Sequence, residues 1–155
     1  MTLMVYLCGS NLEELRASAT ADLLEMAFSG FDGEQLNIVV LAGGARAWGN
    51  PLISARSTGI YQIGPGGIKR LFNDGTLYNM GSPETLAMFM RYTCENFPSD
   101  HYALILWNHG GGAIGGVCND MFSSDVLSME EMATAFRNSP FAKDQKLSWI
   151  GFDAC

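Results

Sequence analysis

The sequence predicts an α/β protein with a mostly parallel open sheet and helices on both of its faces. Short apolar runs, each ended by glycine or polar residues, recur along the chain, and segments with helical spacing separate them. Runs of this kind, without polar alternation, are typical of strands that are buried on both faces. Strands that alternate with helices favour a parallel sheet of at least four strands. At 155 residues the chain fits one domain.

The first three predicted elements form a βαβ unit. An apolar run over residues 2–7 ends at Gly9, and a second run over 37–41 ends at Gly43. Between them a single helix is predicted from apolar residues at helical spacing, namely Leu12, Leu15, Ala19, Leu23 and Met26. Such a unit is expected to be right-handed, with its two strands parallel.

The middle of the chain departs from this alternation. Two short β-like runs within residues 57–72 flank a glycine- and proline-rich turn at 64–67, which predicts a β-hairpin or small antiparallel excursion at the edge of the sheet or the surface. Ser82 and Pro83 then mark a helix start. The apolar side of that helix is predicted to hold Leu86, Phe89, Met90, Thr93 and Phe97.

A strand over residues 102–107, a helix and a last strand over 147–152 complete the prediction. Ser128 and Glu131 have the spacing of a capping box, and Pro140 closes the helix that they begin. The apolar face of this helix is predicted to hold Met129, Met132, Ala133 and Phe136.

Charge and composition exclude several classes of partner. The net charge of −7 disfavours nucleic acid and anionic membranes and suits a cationic ligand. The four cysteines, which lie far apart, have neither zinc-site spacing nor the density of a disulfide framework. No apolar run reaches the roughly 18 residues of a membrane span, and the first residues lack the features of a signal peptide.

Chemistry-bearing residues follow two of the predicted strands. His109 follows the strand at 102–107, and Cys155 follows the strand at 147–152. The carboxyl ends of parallel strands meet at one edge of the sheet, so the thiol and the imidazole could approach each other there. A thiolate that attacks an acyl carbon, with an imidazole that moves protons, is a minimal nucleophilic site. Gly110 and Gly111 would let a substrate carbonyl approach backbone N–H groups.

Other interpretations of these residues stay open. A cysteine at a strand end, such as Cys155, is usually a small buried hydrophobe. Cys8 also follows a strand and Cys94 lies in a helical pattern, so both are expected to be structural, while Cys118 in the glycine-rich loop is undecided. The segment GGGAIGG could cradle a phosphate, but the lysine and hydroxyl residue of a P-loop do not follow it.

Four segments, MVYLCGSNLE, NMGSPETLAMFMRY, ALILWNHGGG and WIGFDAC, resemble the clostripain-like cysteine peptidases, a bacterial family with the caspase and hemoglobinase fold. This resemblance implies a cysteine endopeptidase, with His109 as catalytic histidine, Cys155 as nucleophile and Gly110 as oxyanion-hole donor. It also implies cleavage after Arg or Lys, with Asp153 lining the pocket for that residue. The other interpretation of Asp153 is a helix cap or a loop-orienting residue.

The resemblance carries further expectations. Residues 1–155 would be the N-terminal portion of a caspase-like peptidase domain that ends at the nucleophile, and a second segment or chain would complete the fold. No cofactor is required for the chemistry, although some relatives use calcium. Proteolytic activation is typical of the family, and for this chain activation by another peptidase, or no cut at all, is as plausible as self-processing. The polar loop at 119–125 is the natural cut site for an outside peptidase, and its other interpretation is an ordinary solvated loop. Relatives are mostly exported, which implies a secreted or periplasmic location. The alternative function is a non-catalytic binding or regulatory module of the same fold.

Overall fold

The computed structural model describes residues 1–143 and 145–154. The helices are α1 Ser10–Arg16, α2 Ser18–Phe28, α3 Pro83–Asn96, α4 Gly112–Gly115 and α5 Met129–Arg137, followed by a short 3₁₀ helix at Pro140–Ala142. The strands are β1 Thr2–Cys8, β2 Asn37–Gly43, β3 Gly59–Gly64, β4 Gly67–Phe72, β5 Tyr102–Trp107, β6 Val117–Asp120, β7 Asp125–Leu127 and β8 Leu147–Asp153.

Six of these strands form one sheet in the order β4-β3-β2-β1-β5-β8. The four strands β2, β1, β5 and β8 are parallel, which confirms the predicted parallel sheet. Strands β3 and β4 add an antiparallel hairpin at one edge, also as predicted. Strands β6 and β7 form a separate two-stranded sheet that the sequence does not predict.

Helices pack on both faces of the sheet, which confirms the fold class. On one face, α3 and α5 contribute Phe89 and Met132 to a core that includes Tyr6 of β1. On the other face, Leu23 of α2 packs with Val5 of β1. Successive side chains of a strand point to opposite faces, so β1 must be apolar at almost every position.

The single helix predicted between β1 and β2 is wrong, because two helices occupy that segment. They are separated at Ala17, which has a left-handed φ of 51°. The buried carboxylate of Glu13 causes the break: it accepts hydrogen bonds from the Thr20 N–H at 2.8 Å, the Thr20 hydroxyl at 2.6 Å and the Gly49 N–H at 2.8 Å. Leu15, predicted on the buried face, is 77% exposed as a result.

The predicted starts of α3 and α5 are confirmed. Ser82 caps α3, Pro83 is its first residue, and Ser128 and Glu131 form the capping box of α5. The predicted apolar face of α5 is partly wrong, because Met129 and Ala133 are exposed. The helix meets α3 along a stripe that contains Met132 and Ala135, about one position away from the predicted face.

The polar loop at 119–125 is largely a β-hairpin rather than a solvated loop. Asp120 is fully buried and accepts hydrogen bonds from the backbone N–H groups of Met80, Phe122 and Ser123. The turn is also held from outside, because Arg46 donates to the Met121 carbonyl at 2.6 Å. These bonds must open before a peptidase can extend the turn in its active site.

Replacing Glu13 tests how much the rim of the sheet depends on its carboxylate. We expect Glu13→Ala to lower the free energy of unfolding of the full-length protein by about 3 kcal/mol, since three donors lose a charged acceptor. The measurement is denaturant unfolding followed by circular dichroism. Glu34→Ala, at an exposed position, is the matched control and should change stability by less than about 0.5 kcal/mol. Equal effects of the two substitutions would contradict this assignment.

Candidate active site

The carboxyl ends of β1, β5 and β8 meet at one rim of the sheet. Trp107 of β5 lies opposite Asp153 of β8, and the Asn108 N–H donates to the Asp153 carbonyl at 3.2 Å. His109 follows directly and is half-buried. Cys155 lies outside the described residues, so its approach to His109 stays a prediction.

The side chain of Asn108 links several elements at this rim through hydrogen bonds. Its side chain is 2% exposed. Its Nδ2 donates to the Cys8 carbonyl at 2.6 Å and to the Ser10 hydroxyl at 2.7 Å, and its Oδ1 accepts from the Asn119 N–H at 2.8 Å. The residue therefore links the ends of β1 and β5 to β6.

The imidazole of His109 contacts a residue that the sequence does not single out. Its Nε2 lies 2.7 Å from Oδ1 of Asn11. Asn11 is the second residue of α1 and follows Ser10, which has a left-handed φ of 48°. The signal was present in the sequence, because Ser10 and Asn11 are polar residues at the exit of a buried strand, as His109 is.

The glycine-rich loop after His109 closes on itself beside an apolar cleft. Gly110 forms an antiparallel bridge with Val117, and the Gly111 N–H donates to the Gly116 carbonyl at 2.9 Å. A Cβ on Gly116 would lie 2.6 Å from the Leu127 carbonyl oxygen, so this position requires glycine. The cleft has a volume of about 270 Å³, and its lining includes Gly110, Val117, Met129, Phe152 and Ala154.

Asp153 lies on the opposite face of the sheet, in a second cleft of about 370 Å³ that Asp22, Glu25 and Trp107 also line. The Trp107 indole N–H donates to Asp22 Oδ2 at 2.6 Å. Burial raises the pKa of the Asp22 carboxyl, the indole hydrogen bond opposes this, and the negative charges of Asp153 and Glu25 raise it further. The structure thus brings Asp153 together with Asp22, and it places Gly110 in a different cleft.

The three described cysteines are poor nucleophiles. Cys8 and Cys118 are fully buried, and burial raises the pKa of each thiol well above its ordinary value. The Cys8 thiol donates to the Asn119 carbonyl at 3.3 Å. Burial also raises the pKa of the half-buried Cys94 thiol to about 11.

The described residues hold neither a cluster of metal ligands nor a membrane-spanning helix. Within residues 1–143 and 145–154, no three side chains of His, Cys, Asp or Glu gather in a way that could hold a metal ion. None of the helices described has both the length and the apolar character needed to cross a bilayer.

The parallel sheet and the histidine at its rim define an α/β protein with a candidate site at the carboxyl ends of its strands. The model of the clostripain family matches residues 5–155, which is nearly the whole chain. This chain belongs to the clostripain family.

Individual relatives agree with that assignment. Clostripain from Hathewaya histolytica is 33% identical over a segment that covers 50% of this chain and 16% of clostripain. A secreted C11 cysteine protease from Bacteroides thetaiotaomicron, solved with an irreversible peptide inhibitor, superposes with a TM-score of 0.74 at 16% identity and covers 99% of this chain and 42% of that one. An inactive zymogen C11 protease from Parabacteroides distasonis gives 0.69 at 20% identity, covering 99% and 41%. The chain therefore spans less than half the length of these relatives.

The raised thiol pKa values predict resistance to alkylation. A thiol with a pKa of about 11 has only about one thiolate in a thousand at pH 8, so iodoacetamide should label Cys94 slowly in the folded protein and faster as the pH approaches 11. Cys8 and Cys118 should react only after unfolding. Peptide mapping by mass spectrometry measures each site. Rapid labelling of Cys94 in the native protein at pH 8 would show this assignment to be wrong.

Proposed function

We propose that this chain is the N-terminal portion of a cysteine endopeptidase domain that cleaves peptide bonds after Arg or Lys. His109 and Cys155 are the catalytic pair, Gly110 is an oxyanion-hole donor and Asp153 recognises the basic side chain. Membership of the clostripain family is the single observation that carries this proposal. The position of His109 at the rim supports it, since such rims are where open α/β sheets hold their chemistry.

The chemical step follows from these groups. The Cys155 thiol gives its proton to His109, and the thiolate attacks the carbonyl carbon to form a tetrahedral oxyanion. The C–N bond then breaks, the imidazolium returns the proton to the departing amine, and water hydrolyses the thioester. All the groups come from side chains and backbone, so the proposed reaction requires no metal or organic cofactor.

Backbone geometry supports Gly110 as the oxyanion donor. The N–H of Gly111 is already committed to the Gly116 carbonyl. Gly110 borders the apolar cleft and carries no Cβ to obstruct a substrate carbonyl. A backbone N–H that is fixed before the reaction stabilises the oxyanion without further reorganisation.

Electrostatics support a basic residue on the acyl side of the cut. Asp153 shares its cleft with Asp22, whose pKa is raised by burial and by the nearby negative charges. A guanidinium or ammonium group in this cleft would relieve the repulsion between the two carboxylates. A guanidinium can also form two charge-assisted hydrogen bonds with one carboxylate.

Strand β8, which is an edge strand of the described sheet, carries exposed apolar side chains that support a second segment completing the fold. On β8, Trp149 is 44% exposed, Ile150 41% and Phe152 52%. Long apolar edges are rarely left free in soluble proteins, because they pair with other chains. We propose that further polypeptide pairs with β8 and covers these side chains. Export from the cell and activation by proteolysis are proposed from the family alone.

Substitution of the catalytic pair tests the activity. In the full-length protein, Cys155→Ala and His109→Ala should each lower kcat for peptides with Arg or Lys before the cut bond by about 10⁴-fold, since each substitution removes one member of the proposed nucleophile and base pair. Cys94→Ala, which removes a thiol distant from the rim, should retain activity. Turnover by Cys155→Ala at the wild-type rate would refute the dyad. If the wild-type protein binds such peptides and cleaves none, the chain is a non-catalytic binding module.

The role of Asp153 predicts a change in specificity. Asp153→Asn should lower kcat/KM for Arg and Lys peptides about 10- to 100-fold, because a charge-assisted hydrogen bond becomes a neutral one. Asp100→Asn is the control, since Asp100 is an exposed carboxylate at the opposite end of the sheet. A wild-type preference for Asp or Asn peptides, or an unchanged kcat/KM in Asp153→Asn, would remove Asp153 from the pocket.

A further inference from the structure

Three hydrogen bonds connect the buried Asn108 to the imidazole of His109. Asn108 Nδ2 lies 2.7 Å from the Ser10 hydroxyl oxygen. That oxygen lies 3.3 Å from Asn11 Oδ1, which in turn lies 2.7 Å from His109 Nε2. This series of hydrogen bonds has one direction, because fixing the donor and the acceptor in one bond fixes them in the next.

Backbone groups fix the first carboxamide. The Asn119 N–H can only donate, so it requires an oxygen of Asn108 as acceptor. The Cys8 carbonyl can only accept, so it requires the Asn108 amide nitrogen. Both requirements are met in one orientation of the side chain, which leaves its second N–H to donate to Ser10.

Ser10 determines the direction of the next hydrogen bond. Its hydroxyl oxygen accepts from Asn108 and, at 3.4 Å, from the Leu12 N–H. Two donors aim at the oxygen, so its single proton points away from both, and the partner in that direction is Asn11 Oδ1. The Asn11 atom that faces both Ser10 and His109 is therefore the carboxamide oxygen, which can only accept. His109 Nε2 beside it must then carry a proton.

We propose that Asn11 is a positioning residue that holds neutral His109 with its proton on Nε2 and its lone pair on Nδ1. This inference rests on the proposed function only for the reaction step, in which Nδ1 takes the proton of the Cys155 thiol and later gives it to the departing amine. Asn11 accepts from Nε2–H in both the neutral and the charged ring. The imidazole can therefore change protonation without turning.

The backbone at Ser10 supports a functional role for this turn. A φ of 48° is unfavourable for a residue with a side chain, and such conformations gather at functional sites when their surroundings enforce them. Here the enforcing contact is the hydrogen bond from Asn108 to the fully buried Ser10. The same turn presents Asn11 to the histidine.

The position of the proton can be measured without turnover. Full-length Cys155→Ala protein with ¹⁵N-labelled histidine should show neutral His109 protonated at Nε2 and unprotonated at Nδ1, with slow exchange of the Nε2 proton. His101, which is exposed, is the internal reference. Asn11→Ala should speed exchange of the His109 Nε2 proton by at least about 10-fold. A proton on Nδ1, or the same exchange rate in both proteins, would overturn the proposal.

Kinetics separate positioning from mere structural support. Asn11→Ala should lower kcat about 10-fold with little change in KM, because Asn11 contacts the base and not the substrate. Asn11→Asp keeps an acceptor and should recover most of kcat, while its negative charge moves the acidic limb of the pH profile to higher pH by favouring imidazolium. Asn96→Ala is the matched control and should leave both parameters unchanged.

The two sets of results distinguish the possible failures. If the wild-type protein cleaves no peptide, the proposed function fails, but the NMR experiment still tests whether Asn11 holds the proton of His109 on Nε2. If His109 carries its proton on Nε2 and Asn11→Ala retains the wild-type kcat, the positioning role is wrong while the peptidase function stands. Thermal melting of each variant checks that it is folded.

Discussion

The buried carboxamide of Asn108 is the interaction on which the rest of the rim depends. Where parallel strands end, their last carbonyl and N–H groups lose their ladder partners, and they are costly to bury without replacements. Asn108 supplies one such replacement by donating to the Cys8 carbonyl at the end of β1, and the same side chain accepts from the Asn119 N–H within β6. Its own N–H binds the Asp153 carbonyl. Polar groups that would otherwise need water are thus satisfied internally, which allows His109 to follow at a fixed position.

Two buried carboxylates serve neighbouring loops in the same manner. Glu13 accepts from the backbone of Thr20 and Gly49, and Asp120 accepts from Met80, Phe122 and Ser123. Glu13 satisfies a backbone N–H in the first turn of α2 and another in the loop at Gly49, and Asp120 satisfies three in irregular segments. These groups gain hydrogen bonds that the regular elements do not supply. These hydrogen bonds restrict the loops that they join, and restricted loops are what the proposed oxyanion donor and an oriented imidazole need.

The sequence predicts the sheet well and the polar contacts poorly, for physical reasons. Strands buried on both faces leave continuous apolar runs, and their order restricts the topology to few choices. The break at Ala17 is not predictable from spacing, because it depends on a hydrogen bond from Gly49 to Glu13, 36 positions apart. The pairing of Asn11 with His109 spans 98 positions. Asp22 is hidden for the same reason: its helical position indicates a solvated face, and only the fold brings it beside Asp153.

The alternation of β8 gives the proposed specificity a geometric basis besides its charge. Phe152 and Asp153 are consecutive, so they point to opposite faces, and the cleft beside Gly110 is separate from the cleft that holds Asp153. In the proposed mechanism, the substrate residue whose carbonyl lies at Gly110 must extend its side chain across the rim to reach Asp153. Lys and Arg have the long, flexible apolar stems that such a path needs, and their charged ends reach the carboxylates. A short acidic or amide side chain would neither span the rim nor gain from the negative charge of that cleft. Length and charge therefore select the same class of residue.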